Sequence, residues 1–205
     1  MNEGALSSLT IFRMSAGVEV CKYGSHSEQF FRLSTPADRQ HVGKIPIVVI
    51  FHGGFWKQKY NLDNAAIETL CPYFLAKGMI FSRTRKVLMI DLFFTRTRSL
   101  TGYAVCEVEY RRREHEGGGF PGTNMDCVAA LRLLHEKSME SSSVLDIHKT
   151  ILLGHSAGGY LVLWLCCSKA EYFPKLPFSP ILCVAVSPVT ILKVRNAFHT
   201  ENPSH

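Results

Sequence analysis

The sequence predicts an α/β domain on a mostly parallel sheet with helices on both faces, and three observations carry that prediction. Four short runs of β-branched and apolar residues, Pro46 to Phe51, Ala104 to Tyr110, Thr150 to Leu153 and Ile181 to Ser187, read as strands buried on both faces. Between them apolar residues recur at helical spacing: Leu62, Ala65, Ala66, Leu70 and Phe74; then Val128, Leu131 and Leu134; then Leu161, Trp164 and Leu165. The resulting order is strand, helix, strand, helix, strand, helix, strand. Strand-helix alternation of this kind requires parallel strands joined by crossovers.

In chain order, Val18 to Tyr23 and Gln29 to Leu33 cluster β-formers around Gly24-Ser25 and predict an opening pair of short strands. The strand Pro46 to Phe51 and the helix from Leu62 follow. Thr123, with Asp126 three residues on, reads as a capping signal for the helix that carries Val128. The strand Thr150 to Leu153 runs directly into a glycine-rich turn and then a helix.

At 205 residues, 46% hydrophobic and 20% charged, the chain fits one globular domain rather than two, and not a disordered polymer. No uncharged run approaches the ~18 residues of a membrane-spanning helix, and Met1 to Val20 lacks the basic-then-apolar order of a secretory leader, so the expected setting is cytoplasmic, with no membrane partner. Seven cysteines without a C-x-x-C predict packed free thiols, neither a disulfide framework nor a zinc site. The net charge of +6 is concentrated in Met79 to Thr101, where Arg83, Arg85, Lys86, Arg96 and Arg98 against Asp91 give +4. A stripe that reads phosphates would be spread along a face or a helix, so nucleic acid is not an expected partner.

The sharpest chemical signal is Gly154-His155-Ser156-Ala157-Gly158, a G-x-S-x-G placed between a strand and a helix. A serine on such a cramped turn needs small residues two before and two after it. The turn lifts the Ser156 hydroxyl above the sheet edge and aims the amide of Ala157 toward the oxygen of an attacked carbonyl. Read blandly, the same residues are an ordinary glycine-rich turn. The second signal is His52-Gly53-Gly54-Phe55-Trp56, immediately after the strand Pro46 to Phe51. An oxyanion hole needs converging donors, and Gly53 and Gly54 allow their amides close approach. His52 itself reads better as a structural loop residue than as a base.

On these motifs the chain resembles α/β-hydrolase-fold serine hydrolases of the kynurenine formamidase (arylformamidase) type and related HGG-x-W carboxylesterases. The matching stretches are Tyr23-Gly24 with Gln29, His52 to Trp56 with Asn61-Leu62-Asp63, Cys106 to Arg112, Gly118 to Gly122 with Asp126, His155 to Gly159 with Leu161, Leu163 and Trp164, and Ser187-Pro188-Val189. The resemblance implies a cofactor-free hydrolase of a small amide or ester, with N-formylkynurenine, a step in tryptophan catabolism, as the finer substrate. It implies Ser156 as nucleophile, Gly53, Gly54 and Ala157 as oxyanion donors, and His52, Phe55, Trp56 and Phe120 around the pocket.

Two departures accompany the match. The family would run from Leu75-Ala76-Lys77-Gly78 almost directly into Tyr103 to Cys106, whereas here residues 79–101 intervene as a basic insertion loop, a translated intron or an extra strand. The family order is serine, acid, histidine, and only 49 residues follow Ser156, with His199 and His205 in a polar tail. The expectation is a single partial domain over residues 1–205, its last strands, triad acid and histidine not in this chain, and at best feeble activity. Asp146 precedes the serine and Glu171 lies on the helix after it, so neither matches the family's acid. The competing reading is a non-catalytic hydrolase-fold fragment or binding protein.

Arg111-Arg112-Arg113 reads as solvated loop charge or, less simply, as a clamp for a substrate carboxylate. Gly117 to Gly119 lacks the Gly-Lys-Ser/Thr of a phosphate loop and reads as a pliable wall. No cluster of His, Cys or carboxylates has ligand spacing, so no metal is expected.

Overall fold

The computed structural model describes residues 15–36, 43–65, 102–167 and 174–190. Their strands are β1 (Ser15–Lys22), β2 (Phe30–Pro36), β3 (Ile45–Phe51), β4 (Ala104–Val108), β5 (Leu145–His155) and β6 (Leu182–Val186); the helices are α1 (Gly122–Met139) and α2 (Ala157–Cys167). Each strand read from the sequence is present within a few residues, and β5 begins earlier than its apolar run. The extra length is irregular: β3 moves from Pro46 to Ile47 while β5 moves from Asp146 to Thr150, so Ile147 to Lys149 bulge out of register. Thr150 Oγ1 closes the bulge by donating to the Ile147 carbonyl at 2.8 Å.

The sheet order is β1-β2-β4-β3-β5-β6. β1, β2 and β4 pair antiparallel in succession, while β4, β3, β5 and β6 are all parallel. Strands paired on both sides and covered on both faces need apolar residues at nearly every position, and Ile47 to Phe51 are wholly buried. Alternate residues serve different faces. Ile47, Val49, Phe51, Cys106, Val108 and Leu152 join one core with Cys127, Val128, Leu131 and Leu134 of α1 and Leu161, Val162 and Leu165 of α2. Val48, Ile50, Tyr103, Val105, Ile151 and Leu153 form a second core on the opposite face. Both described helices lie on the first face; the helix read from Leu62 and the insertion read at 79–101 fall, beyond Ala65, outside the described residues, as do His199, His205 and Glu171.

Two expectations are corrected here. Thr123 and Asp126 do not cap α1: its N-cap is Pro121, with no side-chain cap bond. Thr123 Oγ1 instead donates to the Arg111 carbonyl and accepts from Gly119 N at 3.1 Å, while Asp126 is spent on the neighbouring loops. The cysteines are also not all free. Cys166 at the end of α2 and Cys183 on β6 form a disulfide with Cα atoms 7.3 Å apart, because the parallel step from β5 to β6 carries β6 beneath the helix that leaves β5. Cys21, Cys106 and Cys127 are free and buried, as read, and Cys167 is free and exposed. Among the described residues no helix is long and apolar enough to cross a membrane, and no group of three or more metal-ligating side chains occurs.

Candidate active site

Because β3, β4 and β5 are parallel, the loops that leave their carboxyl ends emerge on one side of the sheet. That is where ligands meet open α/β sheets, and it brings the two glycine motifs together. A Cβ placed on Gly53 would lie 3.0 Å from the His155 carbonyl oxygen and 3.3 Å from Ser156 Cβ. The loop after β3 therefore rests directly against the elbow after β5.

The elbow is assembled from backbone contacts. Ser156 sits at φ 54°, in the left-handed region that costs an L residue about 1 to 2 kcal/mol. It is held there on three sides. Its amide donates to the Val186 carbonyl at 2.9 Å, and its carbonyl accepts from Tyr160 N at 3.1 Å and Val189 N at 3.2 Å. The flanking glycines are dictated by approach: a Cβ on Gly154 would sit 2.1 Å from the Gly158 oxygen, and one on Gly158 would sit 2.0 Å from the oxygen of Phe51. No larger residue fits at either place without moving backbone. Ser156 is half-buried, and among the described residues its hydroxyl has no hydrogen-bond partner. Ala157 is buried as the first residue of α2, where helix geometry leaves the leading amides without intrahelical partners.

The loop after β3 carries a run of left-handed residues: Gly54 (φ 109°), Phe55 (φ 55°) and Trp56 (φ 56°). Two consecutive aromatic residues in that region are strained, and strain of this kind persists only where surroundings over-determine it. Lys57 N closes the turn on the Gly54 carbonyl at 3.1 Å, and Arg113 N ties the loop after β4 to the Trp56 carbonyl at 3.2 Å. The Trp56 ring packs edge-on to Tyr160 at 5.3 Å and lies 5.9 Å from the ring of Phe55. Phe55 is 53% exposed and Phe120, on the loop entering α1, is 67% exposed. These rings are therefore surface rather than core.

Below this loop lies a buried network that the motifs alone did not reveal. His52 is fully buried and stacked on Tyr110 at 4.3 Å, with its Nδ1 2.7 Å from the Gly53 carbonyl and its Nε2 2.9 Å from Glu109 Oε1. The Glu109 carboxylate also accepts from Arg112, from Tyr110 N at 3.1 Å and from Leu62 N at 2.9 Å. Arg112 continues to Glu28, and Tyr110 donates its hydroxyl to the His52 carbonyl at 2.6 Å. Burial alone would raise the Glu109 pKa, yet the hydrogen bond from His52, the charges of His52 and Arg112 and the Leu62 amide together hold it below the ordinary glutamate range. The pair becomes visible only once the strands are in register. Phe51 pairs in register with Val108, so the first residues past β3 and β4, His52 and Glu109, are neighbours.

The arginine triplet is not solvated charge. Arg112 is 2% exposed within the network. Arg111 forks onto Asp126 through Nε at 2.9 Å and Nη2 at 2.7 Å, and Gln29 Nε2 reaches the same carboxylate at 2.7 Å. Arg113 is the most exposed of the three and pairs with Glu114 at 3.2 Å. Two buried acids, one on each side of the chain, convert a run of like charges into loop anchors.

Asp146 lies at the start of β5, at the opposite end from Ser156, and pairs with Lys149 at 3.0 Å. Among the described residues no histidine or carboxylate hydrogen bonds to the Ser156 hydroxyl.

Comparison with known proteins follows this geometry. Residues 82–175 match the BD-FAE family. No curated protein sequence matches the chain. Among solved structures, the chain is similar to an α/β hydrolase from a Medee basin deep-sea metagenome library, with 17% identity and TM-score 0.59 over 89% of this chain and 61% of that one. It is similar to esterase B from Lactobacillus rhamnosis, with 24% identity and TM-score 0.59 over 84% of this chain and 48% of that one. It is likewise similar to an ester-hydrolase from the Lake Arreo metagenome solved with a bipyridine phosphonate derivative, with 20% identity and TM-score 0.57 over 89% and 47%. The chain spans roughly half to three fifths of these structures' lengths. The fold is the α/β-hydrolase fold, present here in part.

Proposed function

We propose that the chain is the nucleophile-bearing part of a serine hydrolase of small esters or amides. Ser156 attacks the carbonyl carbon, and the amides of Gly53, Gly54 and Ala157 receive the charge that develops on its oxygen. The observation that carries this reading is that Gly53 lies so near Ser156 that an added Cβ would come within 3.3 Å of Ser156 Cβ, since a nucleophile and its oxyanion donors must converge on one carbonyl. The esterases among the similar structures support the same chemistry. Removing triad members elsewhere still leaves about 10³ to 10⁴-fold acceleration from the oxyanion hole and binding, so feeble turnover is the expectation without a base on the hydroxyl.

Phe55 and Phe120 stand exposed and Trp56 is partly buried around the two loops, and together they favour a flat aromatic acyl or leaving group. Resemblance to kynurenine formamidase makes an N-formyl arylamide such as N-formylkynurenine the finer substrate. Arg111 and Arg112 are held by buried acids, which leaves Arg113, paired at 3.2 Å with the exposed Glu114, as the member of the triplet that could exchange its partner for a substrate carboxylate.

Incubation of the folded chain with a fluorophosphonate, followed by peptide mapping, tests the reading. Label on Ser156 that disappears in Ser156→Ala supports it. A folded chain that takes up no label favours a binding protein on a hydrolase scaffold, and hydrolysis of an N-formyl arylamide no faster than of an aliphatic ester would remove the formamidase refinement.

A further inference from the structure

Both ring nitrogens of His52 face oxygens that can only accept. Nδ1 lies 2.7 Å from the Gly53 carbonyl, and a carbonyl has no proton to give. Nε2 lies 2.9 Å from Glu109 Oε1. That carboxylate already receives Arg112 and the amides of Tyr110 and Leu62, an arrangement that only its ionised form accommodates. A neutral imidazole has one bare nitrogen and would set it against an oxygen lone pair in a fully buried site. Charge balance points the same way. Within the directly bonded set, Glu109, Arg112 and the part-buried Glu28 bring two negative charges and one positive, so a charged His52 makes that set neutral. Tyr110, stacked at 4.3 Å and 5° from coplanar, presents a ring face that favours a cation. Other ionisable groups face the cluster: His115 Nδ1 accepts from Arg112 N at 3.0 Å, His26 Nδ1 accepts from Glu28 N at 3.1 Å, the Arg32 charge reaches Glu109, and His155 Nδ1 would lie 3.2 Å from a Cβ on Gly53.

The Gly53 carbonyl belongs to the same peptide unit as the Gly54 amide. We propose that His52 carries both ring protons, and that this buried imidazolium, anchored by Glu109, polarises the Gly53-Gly54 peptide so that the Gly54 amide is a stronger donor beside Ser156. Hydrogen bonds in series strengthen one another in a low-dielectric setting. The inference rests on the oxyanion role assigned to Gly54 above. His52 and Glu109 are accordingly positioning residues, acting through the loop rather than on the substrate. They explain why a charged pair is tolerated beneath an apolar sheet end.

The test uses the full chain with ¹⁵N-labelled histidine, the His52 ring being assigned through its own Cβ and backbone amide. Near neutral pH both ring nitrogens are expected to carry slowly exchanging protons; one bare nitrogen overturns the proposal. In Glu109→Gln the second ring proton is expected to be lost, the Gly54 amide proton to shift upfield, and fluorophosphonate labelling of Ser156 to slow roughly tenfold, less than the ~10² to 10³-fold cost of removing an oxyanion donor outright. Loss of the ring proton with the Gly54 shift and labelling rate unchanged overturns the polarising role. Should Glu109→Gln not fold, the wild-type ring spectrum decides the protonation state. If the wild-type chain folds but takes no label, the hydrolase reading fails and the catalytic role with it, while the ring spectrum still judges the imidazolium.

Discussion

The two loops that meet at Ser156 are held by opposite means. The elbow after β5 is locked by backbone: glycines in contact at Gly154 and Gly158, and three main-chain hydrogen bonds on Ser156. The loop after β3 is locked by charge: His52, Glu109, Arg112 and Glu28 in series beneath Gly53. Steric contacts do not titrate, whereas ion pairs depend on every partner being present and ionised. The elbow should therefore fail only when atoms are added, and the neighbouring loop when a charge is removed.

The largest expected effect comes from adding atoms to the elbow. Gly158→Ala puts a methyl 2.0 Å from the Phe51 oxygen and 2.6 Å from that of His52, so it breaks both loops at once. The loss should exceed about 4 kcal/mol in urea unfolding, the range reserved for overpacking and strain. Glu109→Ala should come next, at about 3 to 5 kcal/mol, because it leaves Arg112 and His52 buried without a counter-charge. A midpoint within experimental error of wild type would contradict the network.

Acid should act on the second loop before the first. The Glu109 pKa is lower in the folded chain than in the unfolded one. Its stabilising contribution is thus fully present above the unfolded glutamate pKa of about 4.3 and is lost as pH falls through the lower folded value. Stability measured downward from pH 5 should fall more steeply in wild type than in Glu109→Gln, and parallel curves would show that Glu109 is not the group responsible. Ser156→Gly should gain about 1 kcal/mol by relieving the left-handed φ of 54°, a gain in unfolding midpoint bought with the nucleophile. Arg113→Ala, which removes an exposed charge, should stay within about 0.5 kcal/mol of wild type.

How much of this was legible beforehand follows the same division. Apolar runs announced β3, β4 and β5, since a strand buried on both faces leaves little room for polar residues, whereas β6, also read as doubly buried, is part-exposed along its length because it pairs only with β5 among the described strands. The elbow was legible because its constraint is steric and local: five consecutive residues carry it. The support under His52 was not, because Glu109, Arg112 and Glu28 come from three separate stretches and act only once β3 and β4 are in register. The capping reading of Thr123 and Asp126 failed for a related reason. Local spacing favoured a cap, but Arg111 and Gln29, 15 and 97 residues away, offered the buried carboxylate charge-assisted bonds worth more than a helix-end amide. Cys166 and Cys183 were likewise joined by topology rather than by any spacing motif.

The most direct test of the account is a crystal structure of the chain after reaction with an ester-like phosphonate. The account predicts phosphorus bonded to Ser156 Oγ, with one phosphonate oxygen about 2.7 to 3.1 Å from the amides of Gly54 and Ala157. Phosphonate on another residue, or an adduct on Ser156 whose oxygens point away from the Gly53-Gly54 loop, would contradict it.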